Sequence, residues 1–293
     1  MPALPRALVT GLIDDAAVFP PAHLSLVAAL NQHHTHRTGP YADLVGPLLL
    51  PPDMVEPAAQ LWSGTGADTP LGLVVVSRPG GDLTALREAA ETAVTDDRLD
   101  LRGVELGWRA DWRNAGIDAP QIVLELPRGL EQALALTDAA TAIAEAGPLD
   151  PRVLVKFRTG ETPAWPWPDE NELAEVLSGV VAMAVPVKLT GGLHHAIRGE
   201  HPLPDAPGVT APQHGFLNIL AAVAAAATGM PRPVLATWLT TRDAAPLVEA
   251  LAALTPAAVS RVRGLFTAYG CCAVTDPIAG LLELGLLQEE TSA

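Results

Sequence analysis

The chain has 293 residues, 49% of them apolar, with a formal charge of −15 and a pI near 4.8. That balance argues against a nucleic-acid partner, because phosphate-backbone binders carry clustered Lys and Arg that displace counterions. The length suits one domain over 1–293, with a single large core.

The N-terminal stretch MPALPRALVTGLIDDAAVF interrupts its apolar run with acidic residues where a signal peptide needs continuity. The longest apolar run, ILAAVAAAATGM, is too short to span a bilayer. The chain therefore reads as cytoplasmic, with no membrane partner. Its two cysteines are adjacent, and a bridge between neighbours would be badly strained, so reduced thiols are expected.

Along the chain, short β-branched or leucine-rich runs alternate with segments of helical period, as in successive βα units around a parallel sheet. The sequence predicts strands over 7–14, 43–51, 71–77, 102–108, 121–127, 152–158 and 185–191, with a weaker eighth over 265–271. Helices are predicted over 23–37, 53–62, 82–95, 129–146, 169–182, 213–228, 242–253 and 256–263. Eight such units point to an α/β fold, a closed (β/α)8 TIM barrel, with a doubly wound open sheet as the competing arrangement. Pro- and Gly-rich connections after strand six (159–170) and strand seven (191–214) would lie on the functional face, the second long enough to act as a lid.

Barrel strands are buried on both sides and read as apolar runs, so charges inside them need a reason. In VLVKFR, period-two alternation puts Lys156 and Arg158 on one face with Leu154, while Val153, Val155 and Phe157 take the other. The same alternation groups Lys188 with Thr190 and Glu105 with Arg109, and it supplies Glu125. The first strand ends on Asp14 and Asp15. Outward charges would face an apolar helix layer at a cost of several kcal/mol, so these residues are placed inward, towards the C-terminal ends of their strands.

Lysine occurs twice in the chain, at Lys156 and Lys188, against 16 arginines. Arginine cannot form an imine with a carbonyl, because its guanidinium keeps its proton. A lysine amine must have its pKa depressed towards about 7 to attack, and a neighbouring cation or an apolar wall achieves this. On adjacent strands about 4.8 Å apart, one lysine would be the nucleophile and the other the charge that activates it.

These residues resemble class I deoxyribose-phosphate aldolase, a Schiff-base family. VKFRTG (155–160) is similar to its strand-six lysine ahead of a Thr-Gly turn, and VKLTGG (187–192) to its strand-seven lysine before a Gly-Gly turn. The resemblance implies a Schiff base at Lys156 and an activating Lys188. It also implies a proton-relay carboxylate at Asp14 in LIDD and a second one at Glu105. Anion binding by the backbone at Gly270 and Cys271 in YGCC follows from it as well. After the Gly-Gly turn the chain departs from the family with the paired His194 and His195, which leaves the substrate open.

His194 and His195 are candidates for substrate binding, acid/base work or metal ligation. His214 and Asn218 could reach the pocket from a closing loop or serve structure. His33, His34 and His36 read as a solvated helix face. A cysteine nucleophile at Cys271 or Cys272 lacks an evident base in the sequence.

The sequence-level reading is a lyase that takes a small aldehyde or ketone without a cofactor or metal. Lys156, Lys188, Asp14 and Glu105 are its catalytic residues. Arg158, Arg109, Glu125, Thr190, Gly191, Gly192, His194, His195, Gly270 and Cys271 are its substrate-binding residues, for a substrate that is phosphorylated or otherwise anionic. The alternatives are a metal-dependent hydrolase or isomerase and a non-catalytic binding barrel. A homo-oligomer is left open, by habit among such barrels.

Overall fold

The computed structural model describes residues 2–203 and 206–287. Eight strands form a closed, all-parallel barrel: β1 (Ile13–Asp15), β2 (Val45–Leu50), β3 (Leu71–Val76), β4 (Leu99–Gly107), β5 (Gln121–Glu125), β6 (Arg152–Arg158), β7 (Val187–Thr190) and β10 (Phe266–Cys271). They follow one another around the ring in chain order, and β1 closes it by pairing with both β2 and β10, Asp14 opposite Gly270.

The outer layer contains α1 (Leu26–Thr38), α2 (Val55–Trp62), α3 (Leu83–Thr95), α4 (Gln132–Glu145), α5 (Glu170–Ala182), α6 (Phe216–Ala227), α7 (Arg232–Thr240), α8 (Ala244–Ala252), α9 (Pro256–Leu265) and α10 (Thr275–Glu283). Side-chain oxygens cap several of these helices: Asp169 accepts from the backbone N–H groups of Asn171 and Glu172, and Asp82 from that of Thr84. Such caps satisfy donors that have no intrahelical partner. No single helix among the described residues is long and apolar enough to cross a membrane.

The core lies between sheet and helices. Val155, Phe157, Val187 and Leu189, on the outward face of β6 and β7, join it together with α6, which is buried along most of its length. The alternation that sends these side chains outward sends Lys156, Arg158, Lys188 and Thr190 inward.

Two predicted elements are corrected. The first strand shrinks to three residues, because Arg6–Leu8 form a 3-10 turn and the chain turns again at Gly11 (φ +58°). The presumed loop after strand seven contains an antiparallel hairpin, β8 (Gly199–Leu203) with β9 (Ala206–Gln213). Prolines at 202 and 212 disguised it, and a two-stranded ribbon, being all edge, tolerates them. Its tip, 204–205, lies outside the described residues. Helices α7 and α10 were not anticipated.

Candidate active site

The barrel interior holds a buried ion network. Lys156 and Lys188 are register partners on β6 and β7, 3% and 2% exposed. Lys156 Nζ donates to Glu105 Oε2 and also contacts Glu125 Oε2, each at 2.8 Å. Lys188 Nζ donates to Asp14 Oδ2 at 2.5 Å and to Glu105 Oε1. Glu105 therefore bridges both ammonium groups. Arg158 Nε, 3.3 Å from Glu125 Oε1, extends the chain of charges to a half-exposed guanidinium. Three carboxylates thus face two ammonium groups and one guanidinium.

Glycine makes room for this network. A Cβ at Gly46 would stand 2.1 Å from Asp14 Oδ1, and Gly46 has no positive φ, so the requirement there is space. Gly270 lies beside Asp14 in register, with Thr190 Oγ1 3.4 Å from where its Cβ would be. Thr190 and Gly270 thus sit near the network.

The electrostatics overturn one expectation. Lys156 is not depressed: burial pulls its pKa down, but the carboxylates of Glu105 and Glu125 more than reverse this and raise it. Lys188 is raised for the same reason, Asp14 and Glu105 outweighing burial. Proximity of a second ammonium depresses an amine only when no anion stands between them; here Glu105 does. Burial favours the neutral form of Glu105, yet the two lysines bring its pKa down to about 2. Glu125 is also lowered, Lys156 and Arg158 overcoming its burial. Asp14 moves the other way: burial raises it and Lys188 only partly offsets this. Carboxyls pushed apart in this way are suited to different tasks, Glu105 to remain ionised and Asp14 to exchange a proton.

The network runs from mid-barrel to a strand end: Lys188 is second of four residues in β7, whereas Glu125 is the last residue of β5. A cavity of about 1210 Å³ opens at the opposite end from the one expected. It is lined by residues at strand starts, among them Gly72, Asp100, Gln121, Arg152 and Thr267, and it touches Asp14 and Lys188. The Lys188–Asp14 half thus faces the N-terminal end, whereas Lys156 leads through Glu125 and Arg158 towards the C-terminal mouth.

Other candidates fall elsewhere. Arg109 lies past the end of β4, exposed and doubly bonded to Asp111, because strand alternation stops at Gly107. It belongs to a small surface depression and not to the network. Asp15 points outward and receives His33 Nδ1 at 3.0 Å, so His33 is buried between β1 and α1 rather than solvated. Gly191 and Gly192 adopt φ of +79° and +73°, and the indole of Trp167 covers Gly192, leaving no room for a Cβ.

His195 stacks on His201 at 3.4 Å between ring centroids, and burial lowers its pKa to about 4. His214 and Asn218 are structural. His214 Nε2 donates to Pro168 O at 2.9 Å while its Nδ1 accepts from Arg198. Asn218 donates to the carbonyls of Trp238 and Thr241. His194 meets Asp276 and both cysteines. Asp276 was missed, although the Thr-Asp-Pro at 275–277 is a helix-start signal.

Among the described residues no group of three or more His, Cys, Asp and Glu side chains is set to hold a metal ion. Asp14, Glu105 and Glu125, the oxygen ligands of the metal alternative, are instead bonded to lysine nitrogens. What fold and site define is a class: a (β/α)8 barrel with a lysine and carboxylate network inside it. No protein-family model matches the chain, and no curated protein is significantly similar to it.

Proposed function

We propose that the protein is a class I, imine-forming lyase that cleaves or joins a carbon–carbon bond in a small aldehyde or ketone, with Lys156 as nucleophile. The observation that carries the reading is the direct register of two buried lysines bridged by Glu105. Lys156 is the better nucleophile of the two, because its other partner, Glu125, is shared with Arg158 at the side from which barrel enzymes admit substrate.

An anionic group on the substrate would draw Arg158 away from Glu125. Glu125, relieved of one cation, would then accept the Lys156 proton. The free amine adds to the carbonyl carbon, and water leaves as the imine forms. Lys188 holds positive charge beside the nitrogen throughout. Asp14, with its raised pKa, exchanges the proton that accompanies enamine formation.

A second reading rests on the completeness of the network. Every charge in it has a partner, as in a structural ion cluster that fixes barrel geometry without chemistry. The experiment that separates the two is borohydride reduction in the presence of small aldehydes and keto acids, followed by peptide mass mapping. The imine reading expects a reduced adduct on the peptide containing Lys156 with at least one carbonyl compound. No adduct with any compound, in protein shown to be folded, favours the structural cluster.

A further inference from the structure

Outside the lysine network, a second group of reactive side chains meets at the C-terminal end of the barrel. Cys271 ends β10, Cys272 follows it, and α10 begins three residues later. The imidazole of His194, just beyond the Gly191–Gly192 turn, lies against both sulfurs. His194 Nδ1 is 2.8 Å from Asp276 Oδ2, and His194 Nε2 is 3.5 Å from Cys272 Sγ. With Nδ1–H given to the carboxylate, Nε2 is left for the thiol. This is the order nucleophile, base, orienting acid that activates a sulfur. Burial disfavours the charged imidazole, but Asp276 and the two sulfurs more than compensate and push its pKa up to about 12.

The two cysteines are not equivalent. Cys271 sits in the main apolar core, its sulfur also bonded to Ala273 O at 3.3 Å, and burial raises its thiol pKa. Cys272 belongs to a separate small cluster inside the barrel with Ala16, Leu49, Val74 and Val76. Those residues form an apolar wall beside the sulfur. Addition to an aldehyde needs one nucleophile and one shared proton. Acyl transfer also needs a leaving group to be protonated and carried off.

We propose that Cys272, His194 and Asp276 form a nucleophilic thiol centre that adds reversibly to the carbonyl carbon of small aldehydes, whose alkyl part rests on Ala16, Leu49 and Val76. In the step the S–C bond forms as the C=O π pair moves to oxygen, and the proton shared by Sγ and Nε2 passes to that oxygen. The product is a thiohemiacetal; nothing is oxidised or reduced, and no co-reactant is required. The centre does not depend on imine formation at Lys156.

The test is alkylation by limiting iodoacetamide, with fragment mass spectrometry to separate Cys271 from Cys272, run in the Lys156→Arg background so that an imine contributes nothing. Cys272 is expected to label about tenfold or more faster than Cys271, and His194→Gln to slow it by a similar factor, the scale of one lost general base. Propanal is expected to protect Cys272 against the label. Asp276→Asn, at a half-exposed position, should give an intermediate rate, so a misfolded His194 variant does not leave the question open. Labelling of both cysteines only after denaturation, equal rates with and without Asp276→Asn in the Lys156→Arg background, or no protection by propanal would each overturn the proposal.

Discussion

Lys156 and Lys188 stand opposite each other on neighbouring strands, and one carboxylate, Glu105, accepts a hydrogen bond from each. Two ammonium groups are thereby held close in the barrel interior without repelling each other apart. The arrangement raises the pKa of both amines, so any chemistry at Lys156 must begin with one of its carboxylates taking a proton.

Replacing the bridge removes that compensation. Glu105→Gln keeps the shape but leaves two buried cations facing each other with one anion fewer. Breaking a buried pair in this way costs about 3–5 kcal/mol. Urea denaturation should show a loss of that size, and surviving folded protein should trap carbonyls at lower pH than wild type, since its lysines give up protons more readily. Unchanged stability would mean that Glu105 does not bridge.

Gly46→Ala tests the packing around Asp14. The added methyl would overlap Asp14 Oδ1, so the carboxylate must shift off Lys188 or the backbone must yield. Overpacking of this kind costs about 1–3 kcal/mol. The thermal midpoint should fall, and borohydride trapping of carbonyl compounds at Lys156 should fall with it. A variant as stable as wild type would show that Asp14 has room that the structure does not give it.

Acid should loosen the C-terminal mouth before the barrel. Burial and Arg198 depress His214, Pro168 O only partly offsetting them, and its pKa lies at about 4, below the unfolded value of about 6.5. Its contribution to stability is therefore present above about pH 6.5 and is lost as the pH falls through about 4. Protonation ends its acceptance from Arg198 Nη1, a bond across the base of the β8–β9 hairpin, next to the Nε2 bond that ties the hairpin to Pro168 in the 159–170 segment. Amide exchange in 198–214 should accelerate across that window while β4 to β6 stay protected. Uniform exchange at both pH values would contradict this.

Much of the architecture was legible in the sequence because two periods carry it. The alternation in VLVKFR and VPVKLT assigned Lys156, Arg158 and Lys188 to the interior, and the structure keeps all three there. The rule ended where strands end: Arg109 continued the pattern on paper, but the chain had already turned at Gly107. Proline misled in β8 and β9 because hairpin edges tolerate it.

Which residues share the interior was legible, but how they pair was not. Glu105 and Lys188 are 83 residues apart, and nothing local says that a carboxylate will stand between two amines. The expectation of a depressed lysine therefore had the right residues and the wrong charge balance. The same holds for His194, whose partners Asp276 and Cys272 come from the other end of the chain.

The central claim assigns the covalent step to Lys156 and the supporting charge to Lys188. Its most direct test is borohydride trapping on Lys156→Arg and Lys188→Arg side by side, with whichever carbonyl compound labels the wild-type protein. The account predicts no adduct in Lys156→Arg and a slower but detectable adduct, still on Lys156, in Lys188→Arg. An adduct on Lys188, or full labelling that survives Lys156→Arg, would contradict it.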